Sequence, residues 1–169
     1  MAIQRVLAIL AGKVQEYIAL DVSAGAGSAG SLVAISSTGR LDASMMPSGI
    51  GASTVAIVAS EALSAGAYVN IWSNAGTPNA RNADGSTTGK QADGFVLAAV
   101  AVGATATVYL AGLNTSVTAQ STGLVYLSAT PGAGASVGNA TAGQTFQQIG
   151  VATSATTVDF APQAPIVRA

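Results

Sequence analysis

From Thr54 onward the apolar residues come in short runs, each closed off by a cluster of Gly, Ser, Asn, Thr or Pro. Runs of that length suit strands, whereas helices need longer stretches with a 3.6-residue period. The pattern therefore predicts an all-β domain over residues 51–169, a β-sandwich or barrel. Its candidate strands are 55–59, 67–73, 95–102, 105–110, 124–128, 147–152 and 156–160. Two tight turns, Val102-Gly103-Ala104-Thr105 and Ala152-Thr153-Ser154-Ala155, read as hairpin connections between neighbouring runs.

The run pattern also repeats weakly. Ala62-Leu63-Ser64-Ala65-Gly66-Ala67-Tyr68-Val69 recurs as Ala119-Gln120-Ser121-Thr122-Gly123-Leu124-Val125-Tyr126, and Thr107-Val108-Tyr109-Leu110 recurs as Thr157-Val158-Asp159-Phe160. Two related β units are expected, about 54–113 and 117–163. Two copies are too few for a solenoid but can pack their apolar faces together. Between the runs, residues 74–93 are rich in Asn, Asp, Gly and Thr and hold Arg81, Asp84, Lys90 and Asp93, so they are expected to form an exposed loop.

Residues 1–50 have a different texture and read as an extended N-terminal arm. The first 22 residues fit either a helical face or two short strands about a turn at Gly12-Lys13, and the strands are favoured. Residues 23–31 consist only of Ser, Ala and Gly and are expected to act as a flexible linker. Residues 32–35 could add a strand. The stretch that follows ends in Met45-Met46-Pro47, and Met adapts its shape to whatever surface it meets. Leu41, Met45 and Met46 therefore face either a partner or the β domain of the same chain.

Composition narrows the function. The 169 residues include no His and no Cys, and only 8% are charged against roughly 25% in ordinary soluble proteins. His is the usual acid or base near neutral pH, and His and Cys are common metal ligands and nucleophiles, so most enzyme classes lose their working groups. A Ser or Thr nucleophile would need Lys13 or Lys90 as base, and neither lies in a Ser-x-x-Lys arrangement. Asp84 and Asp93 stand beside Arg81 and Lys90, which makes ion pairing the simpler account of them. The chain is expected not to be an enzyme, with no catalytic residue, no metal ligand and no cofactor.

Other binding classes fare little better. Arg5, Lys13, Arg40, Arg81, Lys90 and Arg168 are scattered through a chain of net charge −1, so no basic patch can neutralise a run of phosphates, and no nucleic acid is expected as partner. No apolar run reaches the roughly 20 residues of a spanning helix, so no membrane partner is expected. Residues 1–11 lack a small-residue cleavage site ahead of Lys13, which argues against a signal peptide.

Three local motifs fail on inspection. Gly85-Ser86-Thr87-Thr88-Gly89-Lys90 is one residue short of a phosphate loop, and Gln91 follows where Ser or Thr belongs. Asn82, Asp84 and Gly85 match interior positions of a calcium loop, but Ala80 and Gln91 occupy its end positions. The sequons at Asn114 and Asn139 matter only in a glycosylating pathway. With so little charge, the surface is expected to be covered by neighbours in an assembly.

The stretch Gly39-Arg40-Leu41-Asp42-Ala43-Ser44-Met45-Met46-Pro47 resembles one found in capsid decoration, or cement, proteins of tailed bacteriophages. Segments 61–72, 92–100, 125–132 and 149–155 resemble the same family in the same order, so the likeness covers roughly residues 38–166. It implies an oligomeric knob on the outer capsid surface of the virion, clamping subunits of the major capsid protein. A homotrimer is expected, with a dimer as alternative. Arg40, Leu41, Asp42, Met45, Met46 and Pro47 become candidate interface residues. A head-fibre or receptor-binding virion protein, meeting the host through the 74–93 loop, is the alternative.

Overall fold

The computed structural model describes residues 5–10, 12–37, 39–46 and 52–169, leaving aside the side chains of Ala8, Leu10 and Ala43. The chain divides into two compact units, Met1–Gly51 and Ala52–Ala169. Pro47 lies outside the described residues.

In the first unit, β1 (Arg5–Leu10) and β2 (Lys13–Ile18) form an antiparallel hairpin. Lys13 already pairs with Leu10, so the turn lies one residue ahead of the expected Gly12-Lys13, and Gly12 supplies a left-handed φ of 76°. Residues 32–35 contribute a single parallel bridge, Leu20 to Val33, rather than a full strand. The expected linker is a hydrogen-bonded turn. A 3-10 segment, Gly25–Ser28, is held by Ser23 Oγ accepting from the Gly25 N–H and Ser28 Oγ accepting from the Ala24 N–H. Hydroxyls thus do the anchoring that these side chains are too small to do by packing.

The second unit is all β and contains two sheets of five strands. β3 (Thr54–Ala59), β4 (Tyr68–Asn74), β5 (Thr77–Asn82), β6 (Gly94–Phe95) and β7 (Thr105–Tyr109) close into a barrel in the order β3-β5-β4-β6-β7. Next come β8 (Gly112–Asn114), β9 (Gly123–Leu127), β10 (Gly134–Ala135), β11 (Thr145–Phe146), β12 (Gln148–Ser154), β13 (Thr157–Phe160) and β14 (Ile166–Val167). Of these, β10-β9-β12-β13-β8 form an open sheet, while β11 and β14 pair separately.

Small residues make the narrow barrel possible. Its interior holds Ile57, Ala59, Val69, Ala80, Val96, Ala106 and Val108, and five strands leave little room for anything larger. A second core contains Tyr68, Phe95 and Phe160, joined by Val125, Leu127, Ile149 and Val158 from the open sheet. Phe160 stacks on Tyr68 at 5.7 Å and meets Phe95 edge-on at 5.5 Å. These three rings supply much of the aromatic packing in a chain that is only 5% aromatic.

Two sequence expectations need correction here. Residues 95–102 are not one strand, because from Val96 onward the backbone bonds to the irregular segment 63–67: Val96 N–H to Ala67 O, and Val100 N–H to Leu63 O. The turn at Gly103 (φ 80°) therefore leads into β7 but closes no hairpin, and β7 pairs with β3 and β6. The supposed loop 74–93 contains a barrel strand, β5, joined to β4 through Ala75-Gly76, both at positive φ, as a type I′ turn requires.

The two sheets share strand order and register. In the barrel, Val69 pairs with Gly94, Tyr68 with Phe95, Phe95 with Tyr109, and Val55 with Val108. The open sheet repeats these as Val125 with Gly150, Leu124 with Val151, Val151 with Asp159, and Asn114 with Val158. Even the glycines correspond, since a Cβ on Gly94 would strike the Tyr109 carbonyl and one on Gly150 the Asp159 carbonyl. The Thr107 and Thr157 motifs are in structural register, whereas the Gly66 and Gly123 motifs are one residue out, Val69 matching Val125.

One difference separates the copies. The barrel is closed by parallel pairing of β3 with β5, Val58 to Asn79 and Ala59 to Ala80. The equivalent residues of the second copy, Val117 and Thr118 against Ala133 and Gly134, leave β8 and β10 as sheet edges and instead line a cleft of about 270 Å³.

Candidate interaction surfaces

One face of the first unit's hairpin carries four large, exposed apolar side chains together with one ion pair. Strand alternation and the pairing of Leu7 with Glu16, Ile9 with Val14 and Arg5 with Ile18 put Leu7, Ile9, Val14 and Ile18 on that face together with the Arg5–Glu16 ion pair (2.9 Å). Leu7, Ile9 and Val14 are 74%, 76% and 68% exposed. Among the described residues, more than half of the large hydrophobic side chains that face solvent belong to residues 6–46, and in this unit only Ala34 is a buried hydrophobic.

The candidate interface residues Arg40, Leu41, Asp42, Met45 and Met46 lie in the same unit. Asp42 opens a 3-10 turn, Ala43–Met45, whose Ser44 N–H donates to the Asp42 carboxylate at 2.9 Å. Hydrogen bonding by the Ser44 side chain, and then by its backbone, holds the Asp42 carboxyl below its ordinary range. Ser44 Oγ accepts from the Ser23 N–H, tying this turn to the Ser/Ala/Gly segment. Met45 is half-buried and Met46 exposed; both line a cleft of about 370 Å³ with Leu20, Leu32, Val33 and four serines. Arg40 and Leu41 are exposed, Arg40 at the end of a turn in which its carbonyl accepts from the Ser36 N–H.

The four charged residues expected in an exposed loop are instead structural. Asp84 is only 7% exposed; it accepts from the Ser86 N–H and hydroxyl and lies 3.9 Å from Lys90 Nζ. Arg81 donates to Asn70 Oδ1 and to the Gly89 carbonyl while its guanidinium lies over the Trp72 ring at 4.8 Å. Asp93 accepts from Asn70 Nδ2 and the Ile71 N–H, both at 2.8 Å. Arg81, Asp84, Lys90 and Asp93 are each buried or half-buried. The reason is that β5 pulls the segment onto the barrel, and a charge drawn in that way must find partners.

Buried amides extend this stitching. Gln147 bonds the backbone of Ala92 through both ends of its amide, and Asn114 donates to the Gly66 carbonyl. Among the described residues no three His, Cys, Asp or Glu side chains converge, and no helix is long and apolar enough to cross a membrane. The hairpin face is the surface that sequence reading missed. Its signal was the alternation of Leu7 and Ile9 against Val14 and Ile18, legible only once the turn at Gly12 fixes the register.

Comparisons with protein-family models, with curated proteins and with solved structures found no match.

Proposed function

We propose that this chain is a non-catalytic structural protein that decorates the outer surface of a phage capsid, its first unit binding the major capsid protein and its β domain forming a homo-oligomer. The observation that carries the reading is the first unit's surface: a hairpin face with four exposed apolar side chains and a Met-lined cleft, while among its described residues only Ala34 is a buried hydrophobic. Such a surface gains stability when a partner covers it, about 25 cal/mol per Å² of apolar area removed from water. Many copies on one shell would then sum modest contacts into a strong clamp.

The order of motifs across residues 38–166 that resembles cement proteins supports the same reading. A trimer fits it best, with a dimer as alternative. The alternative role, a head fibre meeting the host through the 74–93 segment, would rest on its exposed residues 74–78 and 86–89, because Arg81, Asp84, Lys90 and Asp93 are engaged within the β domain.

The test is binding of the purified chain, and of a chain lacking residues 1–50, to undecorated capsids. The full chain is expected to bind in hundreds of copies per particle and the truncated chain not to bind. Equal binding by both would remove the assigned role of the first unit.

A further inference from the structure

Both sheets of the second unit carry a matching row of outward side chains. In the barrel the row crosses four strands, Tyr68 to Phe95 to Tyr109 to Thr54. Its equivalent in the open sheet runs Leu124 to Val151 to Asp159 to Leu113. The inner face of the open sheet covers the barrel row: Phe160 stacks on Tyr68 and meets Phe95 edge-on, and Val125 and Val158 join the same core. The second row lies on the far side of that sheet. There Leu124, Val151 and Leu113 are 47%, 42% and 56% exposed. A sheet face turned to water ordinarily carries polar side chains, so aliphatic ones at three positions of this row call for cover.

The charges on the face bear on what covers it. Asp159 stands within the row, exposed and without an ion-pair partner among the described residues. Beyond Leu124, strand alternation puts Tyr126 on the same face, where it packs against Phe146 at 5.1 Å. The Arg168 guanidinium lies 4.7 Å over that Phe146 ring, also exposed and without an ion-pair partner among the described residues. The face therefore carries one unpaired anion on β13 and one unpaired cation beyond β9, with Val151 and Leu124 between them. A two-fold axis through the middle of such a face exchanges its ends. It sets Asp159 of each copy opposite Arg168 of the other, with aliphatic row against aliphatic row.

We propose that the outer face of the open sheet is a two-fold interface, covered by the same face of a second copy of this chain. An apolar strip with opposite charges at its two ends fits itself in this one orientation and repels itself where like charges meet. The proposal rests on the oligomer of the reading above and selects its dimeric form.

Charge reversal gives the test. Asp159→Arg and Arg168→Asp each make the facing end groups alike in charge, and each should weaken self-association at least about tenfold by analytical ultracentrifugation. Mixed in equal amounts, the two variants restore opposite charges at both ends, so a dimer of wild-type strength should return. Leu124→Lys, checked for an unchanged circular dichroism spectrum, should also weaken self-association. Variants that associate as wild type does, or reversed chains that fail to pair when mixed, would overturn the interface while leaving an oligomer built elsewhere. A wild-type chain that stays monomeric would overturn the interface and the oligomer together. Unchanged self-association with capsid binding lost in Leu124→Lys would assign the face to the shell instead and overturn the dimer.

Discussion

At the residue scale, Tyr68 is 1% exposed, and its hydroxyl is buried with no hydrogen-bond partner among the described residues while its ring stacks on Phe160. Leaving such a group unpaired costs on the order of 1–3 kcal/mol, so Tyr68→Phe should raise stability, measured by urea denaturation, by about 1 kcal/mol. Burial also pushes the Tyr68 phenol above its ordinary range. A raised acid in the folded state binds its proton more tightly than in the unfolded chain, so its contribution is intact below pH ~10 and is lost as pH rises beyond that. The fall in denaturation midpoint between about pH 9 and 11 should therefore be shallower in Tyr68→Phe than in wild type. An unchanged slope would mean that the phenol is not desolvated. Ala75 and Ala119 hold φ of 49° and 55°, so Ala75→Gly should stabilise by about 1 kcal/mol in thermal unfolding. None of these positions was legible in sequence, because a left-handed alanine or an orphaned hydroxyl follows from what surrounds a residue rather than from its type.

At the scale of elements, strands rich in Val, Ile and Thr were legible: 55–59, 105–110 and 156–160 lie within a residue of β3, β7 and β13. Strand β5 was not. Pro78, Asn79, Arg81 and Asn82 have weak strand preference, and only pairing with β4 on one side and β3 on the other overrides it. The same override turned the expected charged loop into the Arg81–Asn70–Asp93 network. Asp93→Ala would strip Asn70, itself buried, of its acceptor, and should destabilise by about 2–3 kcal/mol in chemical denaturation. A loss under 0.5 kcal/mol, the scale of an ordinary surface substitution, would restore the exposed-loop picture. Gly94→Ala and Gly150→Ala should be comparably damaging to one another, since each Cβ would meet an equivalent carbonyl across the same pair of strands.

At the scale of the whole molecule, the repeat was visible in sequence only as a faint echo among Ala, Gly and Thr, and one of its two halves was misaligned by a residue. Register reveals it fully, down to the paired glycines and the one pairing that the second copy omits. In the first unit the two strands about the turn were legible, but the exposed side chains that they bring to one face were not. Its surface makes a prediction of its own: Leu7→Glu should leave thermal unfolding within about 0.5 kcal/mol of wild type, as exposed positions do, while sharply weakening attachment to the partner.

Attachment of the first unit to a capsid shell is read by sedimenting undecorated capsids with the full chain, the Leu7→Glu variant and the chain lacking residues 1–50. The full chain is expected to co-sediment and the other two to stay in the supernatant. Co-sedimentation of the truncated chain at the level of the full one would place the attachment outside the first unit.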